Sequence, residues 1–145
     1  MKIENNGYNI SINFIGRAKD VSNIWKKLKN DANIIAIFLV FSVEECWGAT
    51  ADICIPLKDI DALYKGLSSV LENNSFKYSC NLPFNDSDEE SFTISAEQTS
   101  NGIHFFLRIY DNFCGYIELT EVMNTSKFNN ILLELKDVLD EFPII

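Results

Sequence analysis

The run Ile34–Val43, apolar at every position except Ser42, constrains this chain more than any other feature. It is too short to cross a bilayer, which takes about 20 apolar residues in a helix. It suits a strand over 33–46, and its lack of alternation reads as burial on both faces through the first half. Such a strand needs other elements to cover it. At 145 residues the chain can supply them, because a domain this size buries roughly two-thirds of its unfolded surface without disulfides or metal. Length alone argues for a single domain over 1–145. With 47% hydrophobic and 12% aromatic residues, the composition excludes a disordered chain.

The remaining periodicities supply the covering elements. Tyr8, Ile10, Ile12 and Phe14 alternate with Asn9, Ser11 and Asn13, the mark of a half-buried strand entered from a turn at Asn5-Asn6-Gly7. Val21, Ile24, Trp25 and Leu28 have helical spacing, with Lys26, Lys27 and Lys29 at the end where the dipole favours cations. A strand over 47–56 stops at Pro56, and Ile60, Leu63, Tyr64, Leu67, Val70 and Leu71 give the next segment a helical apolar face. Short strands follow over 76–80, 92–97, 103–110 and 116–122, with a hairpin turn at Ser100-Asn101-Gly102. Phe128, Ile131, Leu132, Leu135, Val138, Leu139 and Phe142 then hold helical spacing, capped by Asn124 or Thr125 and stopped by Pro143. The expectation is an α+β fold: one antiparallel sheet of six or seven strands, with two or three helices packed on one face.

Charge narrows the function. Twelve Lys and Arg stand against 21 Asp and Glu, a net charge of −9. Residues 1–85 balance to zero, so the whole excess lies in 86–145, where only Arg108, Lys127 and Lys136 oppose the acids. Nucleic acid and anionic membrane are disfavoured as partners, since both are bound through Lys and Arg. The N-terminus lacks the apolar core of a signal peptide, and Cys46, Cys54, Cys80 and Cys114 form no C-x-x-C pair. A cytoplasmic protein with reduced thiols is expected, with no structural zinc.

No catalytic motif emerges. Counting Asp86 as the first position of a calcium loop places Asp88, Glu90 and Glu97 at acidic positions, but Ser91 stands where the loop needs Gly. His104 is the one histidine and shares a strand face with Phe106, Arg108 and Tyr110. Partnered with a cysteine it would serve a small hydrolase or ligand-binding domain, yet no cysteine sits in a nucleophile turn and G-x-S-x-G is absent. The six glycines are isolated, so no phosphate loop exists. Neither a cofactor nor a metal is expected, and the chain is read as a non-enzyme.

The acidic C-terminal region reads instead as a lure for a basic protein partner. Asp86, Asp88, Glu89, Glu90, Asp111, Glu118 and Glu121 are the candidate contacts, with Tyr110 and Tyr116 as anchors. The segment Phe128-Asn129-Asn130-Ile131-Leu132-Leu133-Glu134-Leu135-Lys136-Asp137-Val138-Leu139-Asp140-Glu141-Phe142-Pro143 resembles the end of WapI-family immunity proteins, with the form L-x-x-L-x-x-x-L-x-x-F-P after a hairpin. The passage from Cys54-Ile55-Pro56 into Leu57-Lys58-Asp59-Ile60-Asp61-Ala62-Leu63 resembles their strand-then-helix step. The resemblance implies a small cytosolic protein that binds and neutralises a contact-delivered toxin domain, often a nuclease, and it supplies no catalytic residue. A monomer or weak homodimer is expected. The alternative, an acidic adaptor or secretion chaperone, ranks lower because such chaperones begin with a helix and this chain begins with a strand.

Overall fold

A computed structural model describes residues 2–5, 8–17, 33–43, 47–72, 77–83, 91–111 and 115–145. Its strands are β1 (Lys2–Asn5), β2 (Tyr8–Arg17), β3 (Ile34–Val43), β4 (Trp47–Pro56), β5 (Lys77–Pro83), β6 (Ser91–Thr99), β7 (Gly102–Asp111) and β8 (Gly115–Met123). Helix α1 (Leu57–Glu72) follows β4, and α2 (Thr125–Glu141) follows β8. The α+β class is as expected, but the single sheet is not. Strands β1-β2-β3-β4 form one four-stranded sheet and β5-β6-β7-β8 another, every pairing antiparallel between sequence neighbours. Alternation tells which face a strand buries, not which strand it pairs with. Here a helix of 16 residues intervenes between β4 and β5, and those two edges do not meet.

Two strand assignments also change. β1 precedes the turn expected at Asn5-Asn6-Gly7 and has no sequence signal of its own, because its four residues hold a single apolar side chain, Ile3, fully buried opposite Ile10. β5 runs on to Pro83, a residue tolerated at the end of an edge strand. The helix read around Val21 to Leu28 lies outside the described residues.

The first sheet behaves as the apolar run demands. Ile34, Ile35, Ala36 and Ile37 are all buried in succession. Ile35 and Ile37 join Ile10, Ile12, Ile53 and Ile55 in the main core, while Ile34 and Ala36 meet Cys54 in a small second cluster. The main core continues into the second sheet through Phe92, Ile94, Phe105 and Leu107. Helix α1 joins the two, touching β4, β5, β6 and α2. Leu57, Ile60, Leu63, Leu67 and Val70 form its buried stripe. The stripe of α2 is Phe128, Ile131, Leu132, Leu135 and Val138, with Phe128 edge-on to Phe105 at 6.4 Å. Asn124 caps α2, its Oδ1 accepting from the Lys127 N–H at 2.8 Å.

Asn33 ties distant parts together. Its carbonyl accepts from the Leu57 N–H at 2.6 Å. Its side chain donates to the Ile145 oxygen at 3.0 Å and accepts from the Ile145 N–H at 2.8 Å. Arg17 adds a bond to the Pro143 carbonyl at 2.7 Å. The residues after α2 are thereby held against the first sheet.

Asn33→Ala removes both side-chain bonds to Ile145 and is expected to cost about 1 kcal/mol, given their exposure. A lowered urea midpoint at constant slope checks this, and an unchanged midpoint refutes it. Gly66 lies inside α1, where alanine ordinarily gains about 1 kcal/mol. A Cβ there would fall 2.1 Å from the Tyr78 ring. Gly66→Ala should therefore destabilise by about 1–3 kcal/mol, and adding Tyr78→Ala should recover the helix gain. A Gly66→Ala protein that melts higher on its own contradicts the clash.

Candidate interaction surface

Alternation along β6, β7 and β8 gives the second sheet two unlike faces. The inner face carries Phe92, Ile94, Ala96, Ile103, Phe105, Leu107, Leu119 and Met123, all buried. The outer face is set by the register. Ser91, Tyr110 and Tyr116 form one cross-strand row, then Thr93, Arg108 and Glu118, then Ser95, Phe106 and Thr120, then Glu97, His104 and Val122. β5 adds Asn81 beside Thr93 and Lys77 beside Glu97.

The centre of this face is a stack. The Arg108 guanidinium carbon lies 5.6 Å from the Phe106 ring centre and 5.2 Å from that of Tyr116. Glu118, directly opposite on β8, accepts from its Nε and pairs with its charge. An arginine so held keeps its cation–π contacts while its charge is neutralised. Around it Tyr110 is 37% exposed, Tyr116 64% and Val122 51%, so the face offers large apolar surface to solvent. Lys77 and Glu97 pair at 3.5 Å, leaving the face locally neutral. Tyrosine and arginine in rigid settings are the side chains that dominate protein interfaces.

The structure gathers three of the candidate contacts here: Tyr110, Tyr116 and Glu118. Asp111 ends β7 opposite Gly115, and Asp86, Asp88, Glu89 and Glu90 lie outside the described residues. Glu121 sits apart from the group. Three positions from Glu118 on a strand, it points to the opposite face, where Lys127 of α2 takes its carboxylate. Its second oxygen is buried without a hydrogen-bond partner. Phe106, an aromatic close to these acids in the sequence, joins the face, and so do Arg108 and Val122, which the charge pattern does not single out. The same odd–even count along β7 and β8 identifies them.

The other chemical candidates separate. His104 lies on the outer face and Cys80 faces the core from β5, so the sheet stands between them. Cys54 belongs to the first sheet, and Cys46 and Cys114 lie outside the described residues. Burial pushes the Cys80 thiol above its usual range despite its hydrogen bond with Tyr78, and the Asp59 carboxylate adds to the rise. Ser91 to Glu97, the last seven of the twelve positions in the calcium-loop count, is extended strand. No cluster of His, Cys, Asp or Glu suited to a metal occurs among the described residues. A cavity of about 20 Å³, lined by Phe14, Ile37, Leu63, Phe92 and Leu135 among others, lies where both sheets and both helices meet. It is lined by apolar side chains and about the size of one water, too small to serve as a ligand pocket. No helix among the described residues is long and apolar enough to cross a membrane.

No protein-family model, curated protein or solved structure matches this chain.

The raised Cys80 thiol is mostly protonated at neutral pH, and only the thiolate reacts. Labelling with iodoacetamide, read on the peptide containing Cys80, should run slower than on glutathione at neutral pH. It should accelerate only above the usual thiol range. Glutathione-like labelling at neutral pH would show that the thiol is not perturbed.

Proposed function

We propose that this chain is a non-enzymatic immunity protein of the cytoplasm. It binds a basic, nuclease-type toxin domain through the outer face of β6, β7 and β8 and covers that domain's active cleft. The observation that carries the reading is the Phe106–Arg108–Tyr116 stack beside exposed Tyr110. The net charge supports it from a different direction, as does the likeness of the tail to WapI-family proteins.

Charge and contact divide the work. The −9 net charge acts at long range, drawing in a basic partner and turning away acidic ones. Near the surface the ion pairs Lys77–Glu97 and Arg108–Glu118 cancel each other's charge. The anchors are then the aromatic rings, which shed water at little cost in side-chain entropy. Inhibition needs no chemistry, only occlusion held for longer than the toxin takes to find its target.

Co-expression with the toxin domain encoded beside this gene should restore growth, and the purified pair should bind. Tyr110→Ala and Tyr116→Ala should each weaken binding at least tenfold, chiefly through faster dissociation. Reversing Asp88, Glu89 and Glu90 to Lys should slow association at low salt and much less at high salt. Failure to bind or to rescue growth overturns the proposal. Binding that ignores both tyrosines moves the interface elsewhere.

A further inference from the structure

Strands β1, β4, β5 and β8 border the two sheets among the described residues. Exposed edges invite pairing with other chains, and proteins blunt them with short strands, Pro or Lys. β1 has only 4 residues, β4 ends at Pro56, and β5 carries Lys77 at one end and Pro83 at the other. β8 has 9 residues and neither Pro nor Lys. Its two acids are already matched, Glu118 by Arg108 and Glu121 by Lys127. In a chain of charge −9 this edge is electrically neutral. Its exposed apolar side chains, Tyr116 and Val122, lie symmetrically about Leu119.

We propose that β8 pairs antiparallel with β8 of a second copy of this chain about a two-fold axis at Leu119, fusing two four-stranded sheets into one of eight strands. In that register Leu119 meets Leu119 of the second copy, and Tyr116 meets Val122 of the second copy, an aromatic against a β-branched side chain. The neighbouring registers are worse. An axis at Glu118 sets two glutamates opposite each other, and an axis at Thr120 carries Tyr116 past the end of the strand to Asn124. A second copy also fits better than a basic segment, because both carboxylates of β8 already hold cations. The isologous contact is self-complementary, as a two-fold requires. A single strand junction is small beside the roughly 1,200 Å² at which stable interfaces begin, so the dimer is weak. It continues the outer face across the junction and leaves Phe106 and Tyr110 open.

The remaining charge gives a diagnostic. Two copies of −9 repel, so dimerisation strengthens as salt is raised, whereas capture of a basic partner weakens. Sedimentation velocity of the full chain across a hundredfold concentration range, at low and high salt, should show a monomer–dimer equilibrium that tightens at least threefold at high salt. Val122→Lys changes an exposed side chain and should weaken the dimer at least tenfold without altering the melting temperature. Hydrogen exchange should slow at alternate β8 amides as concentration rises. A monomer under every condition overturns the proposal. So does a dimer indifferent to Val122→Lys, or one whose formation leaves β8 exchange unchanged. No toxin enters these measurements, so their failure leaves the immunity reading standing, and the reverse holds equally.

Discussion

Both four-stranded sheets turn an apolar face to the main core that neither can cover itself, and the described chain provides two helices for both. That shortage organises the core. α1 cannot serve one sheet alone, so its stripe of Leu57, Ile60, Leu63, Leu67 and Val70 is spent where β4, β5, β6 and α2 converge. α2 closes the remaining side, with Phe128 edge-on to Phe105. Asn33 and Arg17 then bind the residues after α2 to the first sheet, so that helix is fastened to both sheets. The gap of about 20 Å³ at this convergence shows how nearly complete the cover is.

Among the described residues the plan is used twice: four antiparallel strands in sequence order, followed by a helix. The halves share topology but not burial. β3 is apolar on both sides, whereas β6 and β7 alternate strictly and leave one side of their sheet to solvent. A repeat expressed in hydrogen bonding, with different demands on each side chain, leaves no repeat in the residues.

Strand faces and helix stripes were legible because they depend on local periods. Ile103, Phe105, Leu107 and Ile109 fall inside as read, His104, Phe106, Arg108 and Tyr110 fall outside, and Gly102 takes the positive φ the hairpin needs. What was not legible depends on pairings across long stretches of chain. The division into two sheets rests on β4 and β5 not meeting, and the Gly66–Tyr78 contact joins residues on a helix and a strand. The bonds of Asn33 to Ile145 span most of the chain. Ile3 alone could not announce β1. Glu121 is the instructive exception, since odd–even counting along β8 already removes it from the face of Glu118. Grouping it by charge hid what its position states.

Every described strand pairs with its neighbour in sequence, so the hydrogen bonding of each sheet is assembled between consecutive strands. A tight hairpin such as the one joining β6 and β7 forms in about 1–10 μs, whereas β2 and β3 are joined across residues 18–33. The distant contacts are left to the helices and to the ties at Asn33. Strand pairing is thus satisfied within each sheet, while the shared core forms only when both sheets and both helices come together.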